Sequence, residues 1–181
     1  MLALQPSDCP NGIYRGNIVI RSAEDIVAYT AADVRFLHGN LDVAGDVSFV
    51  ATRLTGVQGM VMVAGEADVS LPACTYIDLS VHVSQSARVS AACEQVGRGV
   101  RCEDDALLAL PKCRAIGKTD GVSVLSTGNS RVVAPLCTSY TGDVVIQLGA
   151  EFNAPNATRM TNKASAAVML AVAVARRRKR P

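Results

Sequence analysis

The sequence predicts an all-β protein: a short parallel β-solenoid of about seven coils with a short N-terminal capping helix. Two observations carry the prediction. A motif seen most clearly at Leu71-Pro72-Ala73-Cys74-Thr75-Tyr76-Ile77 recurs with Val34, Leu54, Cys74, Cys93, Cys113, Cys137 and Ala157 in its cysteine position, at steps of 20, 20, 19, 20, 24 and 20 residues. Three residues after each stands an apolar partner: Leu37, Val57, Ile77, Val96, Ile116, Tyr140 and Met160. A period near 20 held through seven copies marks a solenoid, in which each coil buries its neighbour's face. The second observation is composition. The 181 residues are 49% hydrophobic but only 4% aromatic, with no Trp, which suits one domain with a narrow core of small and β-branched side chains.

Residues 1–21 read as an irregular lead-in and a first strand. Turn residues gather at Ser7 to Gly12, and Asn17 to Ile20 has strand character. Residues 22–30 read as a capping helix: Ser22-Ala23-Glu24-Asp25 has capping-box spacing, and a cap keeps the first coil from exposing an apolar cross-section and open strand edges. Residues 31–163 form the repeats. Relative to the cysteine position, each coil fills apolar slots at −5, −3, 0, +3, +7 and +9. The third coil, for example, uses Val69, Leu71, Cys74, Ile77, Val81 and Val83.

The −5/−3 and +7/+9 pairs each lie on one face of a strand, whereas 0/+3 suits a bend, so each coil is expected to be a flattened ring. In the fifth coil a two-residue insertion is placed before Val122 and Val124, which then occupy +7 and +9. Polar, Gly-containing corners separate the coils. Residues 164–181 form an apolar and then basic tail. They read either as an Ala-rich capping helix with a basic end or as the cytoplasmic end of a shortened membrane span.

Of the 18 Lys and Arg residues, five lie in Arg176 to Arg180, which leaves 13 basic against 16 acidic residues elsewhere. The body is mildly acidic, and nucleic acid is an unfavourable partner for it. Met1 to Leu4 is followed by Gln, Pro, Ser and Asp and lacks the charged start and apolar core of a signal peptide, so the chain reads as cytosolic or as a trimmed fragment.

Cys9, Gly16-Asn17-Ile18-Val19-Ile20, Ser22 to Ile26 and Val34 to Val43, with the later Leu-Pro-x-Cys-x-x-Ile units at Leu71 and Leu110, give the chain a likeness over roughly residues 9–160. It resembles receptor L domains, the leucine-rich-repeat-like solenoids of growth-factor receptor ectodomains, and similar modules of fungal GPI-anchored cell-wall proteins. The resemblance implies a right-handed solenoid. It also implies a place at the cell surface or outside the cell, in adhesion, cell-wall organisation or ligand recognition, with the cytoplasm as the alternative.

Cys74, Cys93, Cys113 and Cys137 share one slot and are expected to form a buried column. Ligands from parallel coils stand in line and cannot surround a zinc ion, and parallel Cβ vectors disfavour a disulfide. Cys102, at +9, is expected to be buried too, and Cys9, outside the repeat, is the candidate for reactivity or bridging. His38, placed in a turn, and His82, on the outward side of a strand, have no catalytic neighbour at a recognisable spacing. Glu103-Asp104-Asp105 reads as a solvated turn rather than a calcium or acid/base site. Asn156-Ala157-Thr158 is a glycosylation sequon, meaningful in a secreted chain.

The expected function is therefore non-enzymatic, with no cofactor and no metal. Asp42, Met62, His82, Arg101, Ser123 and Val145, outward beside +7/+9, form the expected contact face for a protein or cell-wall ligand, and the C-terminal tail is a candidate membrane tether. The alternatives are a carbohydrate-active enzyme of the parallel β-helix type and a self-assembling structural solenoid.

Overall fold

A computed structural model describes residues 4–117, 122–147, 149–157 and 159–160. The chain winds as a parallel β-solenoid of about seven turns, and every strand pairing is parallel. Each full turn contributes a strand to each of three sheets. Sheet A has eight strands, sheet B seven and sheet C six among the described residues.

The cross-section is thus three-sided, not the expected flattened ring. The side read as a bend is itself strand: Gly56–Val57, Tyr76–Ile77, Gln95–Val96, Ala115–Ile116 and Ser139–Tyr140 all belong to sheet A. Two residues are too few for alternation to announce a strand, yet neighbouring coils still satisfy their backbone groups.

The lead-in already forms the first rung. Strand β1 (Ile13–Arg15) pairs with β3 (Phe36–His38), and β2 (Ile18–Ile20) pairs with β4 (Leu41–Gly45). Between them lies helix α1 (Ala23–Ala32), which occupies the side where later coils place a sheet C strand; sheet C therefore begins at β5 (Ser48–Val50). The helix starts at a capping box: the Ser22 hydroxyl accepts from Asp25 N–H at 3.3 Å, and the Asp25 carboxylate accepts from Ser22 N–H at 3.1 Å. Buried Tyr29 sets its ring edge-on to Phe49 at 4.9 Å and gives its hydroxyl proton to the Val34 carbonyl at 3.3 Å. The helix thereby plugs the apolar end of the core, as a solenoid's first coil requires.

Inside, like residues stack in files. One runs Leu41, Val61, Val81, Val100, Val124 and Val144, and another Leu37, Val57, Ile77, Val96, Ile116 and Tyr140. All twelve are buried. At the corner from sheet C to sheet A, the cysteine-position N–H groups of Cys74, Cys113 and Cys137 bond the carbonyls of Leu71, Leu110 and Ala134. Pro72, Pro111 and Pro135 hold the second position of these i to i+3 turns, where a fixed φ near −65° is preferred. At the corner from sheet B to sheet C, successive coils place Gly45, Gly65, Gln85, Asp104 and Gly128 at positive φ. Glycine fills that left-handed position in three of them without strain.

The irregular fifth coil corrects the expected register. Val100 pairs with Val124 and Cys102 with Ser126, so +7 and +9 are Val124 and Ser126 rather than Val122 and Val124. All four extra residues lie between Ile116 and Val124, and the ladder shifts between Val122 and Val124 as a bulge. Residues 118–121, within this insertion, fall outside the described residues, as does the 164–181 tail with its basic cluster.

Candidate interaction surface

The outward file of sheet B is Asp42, Met62, His82, Arg101, Leu125 and Val145, one residue per rung in direct register. Five of these six belong to the face expected from the repeat; Ser123 does not. It is buried, and its hydroxyl donates to the Asp143 carbonyl at 3.3 Å, because the bulge turns it away from the outer side and brings Leu125 there instead.

Two ion-paired groups brace this face. Arg21 meets the Asp42 carboxylate at 3.0 Å. Glu103 takes Arg101 on one oxygen at 2.7 Å and His82 Nε2 on the other at 3.0 Å. The hydrogen bond from Arg101, joined by that from His82, holds the Glu103 carboxyl below the usual carboxylate range. The His82 to Glu103 contact was legible, since 21 residues is the 19-residue coil step plus two positions along the strand, which returns to the same side. Beyond these pairs the face turns apolar, with half-buried Leu125 and Val145 and, beside them, Val122, which is 50% exposed.

Sheet A carries a feature the sequence reading missed. Phe36 and Tyr76, two rungs apart, lean over Gly56 until their ring centres are 5.7 Å apart. A Cβ on Gly56 would lie 2.7 Å from Tyr76 and 2.9 Å from Phe36, so glycine makes this covering possible. The strand is left with its backbone shielded by aromatic neighbours. His38 closes strand β3, not a turn, and its Nδ1 meets the Gln58 side-chain oxygen.

Cys74, Cys93, Cys113 and Cys137 are all fully buried, each two residues before a sheet A strand that is in register with its neighbours. Cys74, Cys113 and Cys137 repeat one contact, each thiol donating to the carbonyl two residues on, at 3.3, 3.2 and 3.3 Å. Burial pushes the Cys74 and Cys137 thiols up to about 11, and a hydrogen bond with Cys113 together with burial raises Cys93.

Cys102 is buried at +9, and its thiol donates to the Ala106 carbonyl at 3.4 Å. Buried Ser126 and Ser130 satisfy one another at 2.8 Å, and Ser130 donates to the Cys102 carbonyl at 2.8 Å. Cys9, the candidate for reactivity or bridging, also lies in the core, with a free thiol: the turns at Pro6–Asp8 and Pro10–Gly12 fold it inward, and burial, then Asp8, raises its pKa.

Asn156 is exposed and its side-chain amide donates to the Pro135 carbonyl at 2.7 Å; Thr158 of the sequon lies outside the described residues. Among the described residues no group of three or more His, Cys, Asp or Glu is arranged to hold a metal ion, and no helix is long and apolar enough to cross a membrane.

These features define the class: a parallel β-solenoid repeat protein. No family model, curated protein or solved structure matches the chain.

Proposed function

We propose that the chain is a non-enzymatic interaction module that uses the outer side of sheet B to hold a protein or cell-wall ligand. One observation carries the reading: an apolar patch of Val122, Leu125 and Val145 lies directly beside the Arg101, Glu103 and His82 ion-paired group. An apolar centre with a polar rim is the usual build of a recognition surface, and side chains fixed on a stacked ladder have little freedom left to lose on binding. Of the carboxylates on this face, Asp42 and Glu103 are each engaged by arginine, which suits them to positioning rather than acid/base work, and Asp143, in register with Val122, belongs to the polar rim of the patch. The reading extends to the resemblance to receptor L domains and fungal wall modules, with a place at the cell surface and a tether through the C-terminal tail; the repeat motif supports that extension.

The test is retention of the full chain on fungal cell-wall particles. Val145→Asp, and separately Met62→Asp, is expected to reduce retention by roughly tenfold or more with an unchanged circular dichroism spectrum. Equal retention of the wild type and both variants overturns the proposal, as does retention that survives in every variant of this face.

A further inference from the structure

The N-terminal end of the rod holds a cavity of about 700 Å³, lined by Leu4, Asp8, Pro10 and Asn11 of the lead-in, by β1 and β2 with their corner, and by Asp25, Ala28 and Tyr29 of α1. That volume is within the range of about 300–1,000 Å³ typical of ligand sites. Its lining includes two strand edges without a further partner among the described residues, where β1 pairs only with β3 and β2 only with β4. Gly16 and Ile18 give their N–H groups to His38 and Asn40. Alternation along the chain turns the backbone groups of Asn17 and Val19 the other way, towards the cavity. The cap is therefore partial among the described residues: α1 closes the sheet C side, while the sheet A and sheet B edges face the cavity.

We propose that this cavity is a docking site for one extended peptide segment, which adds as a further rung beneath β1 and β2. Addition of a strand to an open edge supplies main-chain hydrogen bonds, and the pockets for alternate side chains select the sequence. The contact continues the rung-on-rung interface already present through the rod. The interior files begin with Tyr14, Ile18 and Ile20, so the segment needs apolar residues at positions i, i+4 and i+6. Exposed Arg15 stands on the outer side of β1 and favours an acidic residue at i+1. The carboxylates on the cap side are already engaged, Asp25 by the N–H groups of Arg21 and Ser22 and Asp8 by that of Gln5. Because α1 and the lead-in occupy the end of the rod, a single strand fits where a whole second solenoid would be obstructed.

The chain contains this pattern at Ile77, Asp78, Val81 and Val83. The probe is therefore a fluorescein-labelled synthetic peptide copying residues 75–84, with a scrambled peptide as control, read by anisotropy against the full chain. Saturable binding of the copy but not of the scramble is expected. Ala28→Trp, which fills the cavity without changing a strand residue, should weaken it by roughly tenfold or more, and Arg15→Glu should weaken it and remove its salt dependence. Val19→Pro removes a cavity-facing donor at an edge position that tolerates proline; if that variant melts early, Ala28→Trp decides. Equal binding of copy and scramble, or undiminished binding by Ala28→Trp, overturns the proposal. Self-association of the chain alone that Ala28→Trp abolishes overturns it too, since the occupant is then a second copy.

Discussion

Alkali attacks this rod from within. Cys74, Cys102 and Cys137 are fully buried, and burial raises each thiol from 9.0 to about 11. The folded pKa lies above the unfolded one, so the stabilisation from keeping these thiols neutral is complete below about pH 9, where both states hold the proton. Between about pH 9 and 11 the unfolded chain ionises while the folded chain resists, and stability falls. A shift of two pH units is worth roughly 3 kcal/mol per thiol, so three such thiols together reach several kcal/mol. That is comparable with the whole stability of an ordinary domain, about 5–15 kcal/mol. Tyr29 is raised as well and acts in the same direction, whereas the contact between Cys93 and Cys113 raises the first thiol and lowers the second, so that pair acts in opposite senses.

The assay is urea unfolding followed by circular dichroism under reductant at a series of pH values. The midpoint should hold from neutrality to about pH 9 and then drop steeply, and a triple Cys→Ala variant at positions 74, 102 and 137 should start lower but decline more gently. A midpoint that stays level to about pH 11, or one that falls as steeply in the triple variant, refutes the reasoning.

Two further outcomes follow from close backbone approach and from the cap. At Gly97 a Cβ would sit 1.9 Å from the Asp78 carbonyl oxygen, and backbone cannot yield as a side chain can; Gly97→Ala should cost about 2–4 kcal/mol in urea denaturation, and a cost near zero would mean the coils stack less tightly there. Asp25→Ala removes the acceptor for the N–H groups of Arg21 and Ser22. It should cost about 1 kcal/mol and raise amide exchange in residues 13–32 while leaving residues 61–83 protected; uniform loss of protection would argue against end-local unfolding.

Much of the architecture was legible because side-chain size repeats with the coil: the files through Val81 and Ile77 could be aligned from spacing alone. Sheet A escaped notice as a sheet because its strands are two residues long, too short for alternation to be seen. The place of Ser123 was misread because a 24-residue step does not say where its extra residues lie, and dividing them left the fifth coil two residues out of step. The aromatic cover over Gly56 was hidden by distance along the chain, since Phe36 and Tyr76 are 40 residues apart and meet only once two rungs stack. The His82 pairing failed to register for the opposite reason. Its partner lies at a spacing the coil step itself supplies, one step plus two, which resembles no catalytic motif.

Coil-to-coil registry also shapes how a gene of this kind can change length. The short coil loses its residue before Cys93, at the corner between sheets C and A, and the long one gains its four between sheets A and B. The short coil makes its change wholly at a corner, and the long one takes three of its four residues before the strand Val122–Ser126 and the fourth, Ser123, as the bulge near that strand's start. A tandem duplication or loss of 20 codons, such as those for residues 58–77, would return the chain to the same corner with every later side chain on its former side. A change of 19 or 21 codons would need a corner to absorb the odd residue or would turn the remaining storeys inside out. Growth by whole storeys is the inexpensive mutation for such a molecule, and the corners are where errors in the count can be hidden.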